Sequence, residues 1–148
     1  MPLRLQDISY QTLYFGANSC SNAVATYLYP GHYPAAATNT ETSSFLIIRV
    51  PTGKTATLSN LRLVCHTGPA TQGSTVTIRT RASGGGSGAF SASALTMALA
   101  TSGTAASDDT HSVTVVDGQC ISIEVSPTGG QTTGPTNGVF ACVLLTIR

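Results

Sequence analysis

Thr75-Val76-Thr77-Ile78-Arg79-Thr80-Arg81 decides the fold class. Val76 and Ile78 point one way, and Thr75, Thr77, Arg79 and Arg81 the other. A period of two is what a half-buried strand demands, because successive side chains project to opposite faces of a sheet. The same reading extends outward in both directions. Upstream, residues 55–65 place Leu61, Leu63 and Cys65 on one face, with Arg62 and Val64 on the other. Downstream, Leu95, Met97 and Leu99 share a face. Residues 119–126 then turn Ile121, Ile123 and Val125 inward, with Ser122 and Glu124 outward.

Further strands are predicted at residues 12–16, 23–29, 44–50, 111–116 and 138–148, with turn signals between them at Pro30-Gly31, Pro51-Thr52-Gly53, the glycine run 84–88 and Asp117-Gly118. Residues 101–109 and 127–137 read as polar loops. Helical periodicity is almost absent, and residues 91–100, the one helix-tolerant stretch, read better as strand or loop. Eight or nine short strands at this spacing predict an all-β fold. The economical arrangement is an antiparallel β-sandwich in jelly-roll order. It occupies residues 12–148 as one domain behind an N-terminal arm, residues 1–11, and no internal repeat is present.

Charge is scarce. Asp, Glu, Lys and Arg make up 9% of the chain, against roughly 25% in an ordinary soluble domain, and Lys54 is the one lysine. Thr, Ser, Gly and Ala take the place of charge. The formal net charge is +1 and the pI near 7.7, which gives no electrostatic footprint for nucleic acid or anionic lipid. Neutral surfaces tend to associate, so the chain reads as a piece of an assembly. The first residues lack the apolar run and cleavage site of a signal peptide, and no apolar run approaches the ~18–20 residues of a membrane helix. Synthesis in a cytoplasm, with no membrane partner, is the expectation. A domain of about 150 residues buries enough surface to fold without a metal or a disulfide. Cys20, Cys65, Cys120 and Cys142 are widely spaced with no CxxC pair, so free thiols are expected, a disulfide being the alternative.

The last predicted strand does not alternate. Phe140, Cys142 and Leu144 lie on one face, and Ala141, Val143, Leu145 and Ile147 on the other, so both faces are apolar. A strand with one wet face would not read this way. Either the chain covers both sides itself or another copy covers one. Association is the favoured reading, with Phe140, Val143, Leu145 and Ile147 as interface residues and Tyr27, Tyr29 and Phe45 as added aromatic surface. A charged residue at Val143 or Leu145 is then expected to dissociate the oligomer and leave a folded monomer. In the arm, Leu3, Leu5 and Ile8 alternate with Arg4 and Asp7, a pattern suited to adding a strand to a neighbouring sheet edge.

Three stretches together resemble a pattern common in small phage structural proteins. Val50-Pro51-Thr52-Gly53 leads to Leu58-Ser59-Asn60-Leu61-Arg62-Leu63, like the proline-glycine turn and "leucine-x-asparagine-leucine" strand of that group. Thr75 to Arg81 followed by a glycine loop is similar to the next segment. His111-Ser112-Val113-Thr114-Val115-Val116, the turn Asp117-Gly118, and Gln119-Cys120-Ile121-Ser122-Ile123-Glu124-Val125 resemble its closing hairpin, whose turn in many relatives reads glycine-aspartate. The resemblance covers roughly residues 45–148. It implies a jelly-roll akin to the tumour-necrosis-factor-like fold, assembled as a homotrimer with the C-terminal strand near the three-fold axis. Such proteins occur as capsid decoration (cement) proteins, head fibres or tail-fibre tips, and no catalytic residues are implied. With so short an arm, a cement protein is the expectation. Its partners would be itself and the major capsid protein, and its location the virion surface. Leu3, Arg4, Leu5 and Ile8 would form a capsid-contact arm.

Catalytic motifs are lacking. His32, His66 and His111 are available, but there is no Gly-x-Ser-x-Gly elbow for a hydrolase. His66 points away from Cys65, and Asp108-Asp109 with His111 reads as a solvated turn before it reads as a metal site. Glu41 and Glu124 are the two glutamates, and nothing in the sequence places them together as glycosidase chemistry would need. No cofactor is expected. The segment Tyr27-Leu28-Tyr29-Pro30-Gly31-His32-Tyr33-Pro34 is the best recognition surface, with Tyr27, Tyr29, His32 and Tyr33 able to stack on a sugar. A carbohydrate- or receptor-binding fibre tip is therefore the alternative function, and a packed loop or subunit contact the plainer reading of those residues.

Overall fold

The computed structural model describes residues 9–31, 35–41, 45–82 and 89–148. Among these residues nine strands form: β1 (Ser9–Ala17), β2 (Thr26–Pro30), β3 (Leu46–Ile47), β4 (Ala56–Thr67), β5 (Ser74–Arg81), β6 (Ser91–Leu99), β7 (Ala105–Val115), β8 (Cys120–Pro127) and β9 (Thr136–Ile147). Pairing is antiparallel and nested. β1 pairs with β9, β2 with β8, β4 with β7 and β5 with β6. Rolling such a ladder over itself gives one sheet in the order β1-β9-β4-β7 and a second in the order β2-β8-β5-β6, which is the jelly-roll the sequence implied. β3 lies against β8 at Leu46↔Ile121, and a short β1–β2 pairing at Phe15↔Pro30 joins the two sheets.

The core sits between the sheets. Phe15, Leu58, Leu61 and Leu63 from one sheet face Leu28, Ile78, Leu95, Leu99, Ile121 and Ile123 from the other, all fully buried. The alternation of β5 holds at Val76 and Ile78. In β4 it survives a bulge at Asn60, whose φ of 52° absorbs the extra residue and keeps Leu61 and Leu63 inward.

Several boundaries differ from the sequence reading, each for a local reason. β1 starts at Ser9, so residues 9–11 belong to the sandwich and not to the arm. β2 starts only at Thr26, because the Ser21 hydroxyl accepts the Ala23 and Val24 N–H groups at 3.1 and 3.3 Å and holds that stretch as a turn. β3 is two residues long, since the chain beyond it leaves the ladder. There Ile48 N–H donates to Gln119 O at 2.8 Å and Val50 N–H to Asp117 Oδ1 at 2.9 Å, pinning the segment to the Asp117-Gly118 turn. The stretch read as a polar loop over residues 101–109 instead holds the first half of β7, whose inward positions are the half-buried Ala106 and the buried carboxylate of Asp108. The arm residues Leu3, Arg4, Leu5 and Ile8, the glycine run 84–88, and His32 and Tyr33 lie outside the described residues.

Asp108 ties the free edges of the two sheets together. Between Ser59↔Ser112 and Leu61↔Asp108, β7 bulges. The bulge is held by Asp108 Oδ1, which accepts Thr110 N–H at 3.2 Å, the Thr110 hydroxyl at 3.0 Å and His111 N–H at 3.1 Å. Asp108 Oδ2 reaches across to accept Thr96 N–H on β6 at 3.2 Å. This buried side chain therefore spans β7 and β6, and His111 Nδ1 lies 3.0 Å from it. Burial disfavours its charge. The hydrogen bonds from the His111 side chain, His111 N–H and Thr110 outweigh that and hold the carboxyl down at about 2.

Candidate interaction face

The register of the β1-β9-β4-β7 sheet lines up its outward side chains in rows. Tyr10, Thr146 and Thr57 form one row, and Thr12, Leu144 and Ser59 the next. Tyr14, Cys142 and Arg62 follow, then Gly16, Phe140 and Val64. The face is aromatic and aliphatic at one side and hydroxyl-rich at the other. Tyr10 and Tyr14 are each 64% exposed, Val64 52% and Phe140 42%. Between Tyr14, Val64 and Phe140 runs an almost wholly apolar groove of about 230 Å³, lined also by Arg62 and Cys142 among others. Phe140 is placed by two glycines. A Cβ on Gly138 would stand 3.0 Å from its ring and one on Gly16 3.5 Å, so the ring lies over both. Gly138, at φ 86°, also supplies a backbone conformation that other residues rarely adopt.

The four residues read as an interface do not share a face. Phe140 is on the outer face. Val143 and Leu145 point into the core, fully or almost fully buried, because β9 sits between β1 and β4 and its odd-numbered positions pair with Leu13, Gln11 and Leu58 on the inward side. Ile147 is partly buried against the same core. Val143 and Leu145 are thus unavailable to a second copy, and the expectation that a charge there leaves a folded monomer is overturned. Tyr27 and Phe45 belong to the surface of the other sheet, whereas Tyr29, paired with Gly16, continues the row of Phe140 and Val64. Tyr10, Tyr14 and Val64 also extend the apolar face. Their signal was present: Tyr10 and Tyr14 alternate with Leu13 and Phe15, the same period of two that identified β5.

The outer face of the other sheet is different in kind. Arg79 Nε lies 2.8 Å from Glu41 Oε1 and its Nη1 3.0 Å from Glu124 Oε2. The two glutamates that nothing in the sequence placed together are therefore joined by one guanidinium. Tyr27 donates its hydroxyl to Glu124 at 3.2 Å, and Ser122 donates to Glu41. Burial, then Glu41 and Glu124, raise the Tyr27 phenol above its ordinary value. The two carboxylates and the guanidinium form one ion network on this face. Arg81 is buried between Phe45 and Phe90, its guanidinium carbon 5.0 and 4.7 Å from the ring centres. Of the recognition-loop residues, Tyr27 and Tyr29 are half-buried in β2.

All four cysteines carry free thiols in the structure. Burial pushes the Cys20 thiol up to about 12, against a hydrogen bond with Thr26, and burial likewise raises Cys65. Among the described residues no three of His, Cys, Asp and Glu converge as metal ligands. Asp108 is saturated by hydrogen bonds, and Asp109 pairs with Arg62 at 3.3 Å.

No family model matches the chain, and no curated protein matches it in sequence. Among solved structures it is similar in shape to murine APRIL. Against the crystal structure at pH 8.0 the TM-score is 0.46 at 12% identity, and against that at pH 8.5 it is 0.47 at 11%; each match covers 91% of this chain and 98% of the other. It is also similar to Eiger TNF from S. frugiperda, with a TM-score of 0.39 at 8% identity, covering 93% of this chain and 90% of that one. The jelly-roll assignment stands on the nested strand pairing itself.

Proposed function

We propose that this chain is a non-catalytic structural protein that self-associates through the outer face of the β1-β9-β4-β7 sheet. One observation carries the reading: Tyr14, Val64 and Phe140 stand exposed around one apolar groove, with Tyr10 exposed two rows further along the same face, and the face holds little charge. If each loses about 100 Å² in a contact, burial at about 25 cal/mol per Å² contributes about 10 kcal/mol per face. Association costs an estimated 4–15 kcal/mol, so such a face is sufficient for an oligomer once its hydroxyl rim also closes. A face that meets its own copy must tolerate its own charge, and this one is nearly neutral. We take the oligomer to be a homotrimer that decorates the surface of a phage-like capsid, with the major capsid protein as its partner, as the sequence resemblance implies.

Light scattering behind size exclusion tests the first part. The wild type is expected at the mass of three chains, and Phe140→Asp or Tyr14→Asp at one chain with an unchanged circular dichroism spectrum. A monomeric wild type overturns the self-association reading. The capsid reading is tested separately, by sedimenting the trimer with expanded, undecorated phage capsids and following their rupture temperature. Binding with a higher rupture temperature supports it, and no association with any shell overturns it. The fibre-tip alternative has less support, since Tyr27 is already committed to Glu124.

A further inference from the structure

One end of the sandwich gathers positive charge that the totals conceal. β1 enters there at Ser9, opposite Ile147, and Thr55 and Arg148 exchange backbone hydrogen bonds at 2.9 Å. Arg49, Lys54 and Arg148 are all exposed at this end, and among the described residues Asp117 is the one side-chain carboxylate beside them. Among the described side chains, three cations less one carboxylate leave two positive charges here, in a chain whose formal net charge is +1. The other described charges run the opposite way. Arg62, Arg79 and Arg81 stand against Glu41, Asp108, Asp109 and Glu124, and each of those carboxylates lies within 3.3 Å of an arginine or histidine nitrogen.

Shape and apolar surface accompany the charge. The segment Ile48 to Val50 runs between two grooves. One, of about 260 Å³, lies between the Pro51–Lys54 turn and the end of β7 at Thr114 to Asp117. The other, of about 230 Å³, lies between β3 and Gln11 and Leu13 of β1, with Arg49 on its wall. Ile47 is 45% exposed and Val116 58%, so each groove has an aliphatic side chain close by.

We infer that this end is a docking surface for an acidic protein segment that carries aliphatic side chains between its carboxylates. Charge complementarity selects the acid, and Ile47 and Val116 select the aliphatic contacts. Nucleic acid fits less well. Strongly salt-dependent binding to DNA draws on about six to ten phosphate contacts, and lipid headgroup recognition on clusters of about four to eight basic residues. Three cations interleaved with aliphatic residues fall short of both. The inference goes beyond the self-association reading and does not depend on it, because this end is distinct from the aromatic face.

Nuclear magnetic resonance of the whole, ¹⁵N-labelled protein tests it. The probe is a synthetic peptide of about twelve residues that alternates Asp or Glu with Val or Leu. The controls are the same peptide with Lys in place of the acids, a twelve-nucleotide oligothymidine, and phosphatidylcholine vesicles containing phosphatidylglycerol. The acidic peptide is expected to shift the amides of Ile47, Arg49, Thr55 and Val116, while the lysine peptide shifts none. Affinity is expected to fall at least about tenfold in the double variant Arg49→Glu, Arg148→Glu, and again in about 0.5 M salt, where charge is screened within ~4 Å. Both substituted side chains are exposed, and an otherwise unchanged amide spectrum verifies that the variant is folded. Shifts confined to other surfaces, or unchanged affinity in the double variant, overturn the inference. So does tighter binding of the oligonucleotide or the vesicles at this end.

Discussion

Asp108 shows how one carboxylate fixes an edge of a sandwich. The two sheets end at β7 and β6, and no ladder joins those strands. Asp108 Oδ2 supplies the link through Thr96 N–H, while Oδ1 collects the N–H and hydroxyl groups that the bulge frees. The hydrogen bonds hold the folded carboxyl at about 2, below its ordinary value of 3.8, so as pH falls the unfolded chain takes up its proton first. Its contribution is complete above about pH 5 and is lost progressively as pH falls through 4 towards 2. Urea unfolding at pH 7, 4, 3 and 2 checks this. Asp108→Asn is expected to cost about 1–3 kcal/mol at pH 7, and the gap between variant and wild type should narrow towards pH 2. A gap that stays constant with pH would show that the carboxylate's charge is not what holds the edge.

At the scale of the strand, β9 separates two roles that its sequence superimposes. Both of its faces are apolar, and that much is legible along the chain. Which face turns inward is decided by partners far away in sequence: Leu13 and Gln11 on β1 and Leu58 on β4. Val143→Asp would place a charge among Leu13 and its core neighbours and is expected to cost several kcal/mol, enough to abolish cooperative unfolding in a domain of ordinary stability. Phe140→Asp, three positions earlier on the outer face, is expected to change the melting temperature of the monomer by no more than a few degrees. Circular dichroism melts of the two variants check the contrast. Other elements were legible to different depths. β4, β5 and β8 alternate strongly enough to be read directly. The first half of β7 is not, because its inward positions are an alanine and a buried carboxylate and carry no hydrophobic period. The Arg79 network escapes sequence reading altogether, since Glu41 lies 38 positions from Arg79 and charge carries no periodicity to follow.

Across the whole molecule, the scarce charge is spent unevenly. One sheet closes its outer surface with the Arg79 ion network, one end collects cations, and the aromatic face keeps little beyond Arg62 and its partner Asp109. A neutral, aromatic face on an otherwise hydroxyl-rich protein is where a partner copy removes the most apolar area for the least desolvation of charge. The thiols offer a way to watch that face without substituting it. Cys20, Cys65 and Cys120 are buried and the first two are held as thiols, whereas Cys142 is half-exposed in the groove beside Tyr14 and Phe140. In native protein at high concentration a thiol-reactive dye is expected to label none of the four quickly. On dilution below the dissociation constant of the oligomer, Cys142 alone becomes reactive, and the rate follows the fraction of monomer measured by light scattering. In the Phe140→Asp monomer the same single thiol reacts at every concentration, and the other three only in denaturant. If the copies associate through any other surface, Cys142 labels at one rate throughout the dilution series, and the aromatic face is then not where they meet.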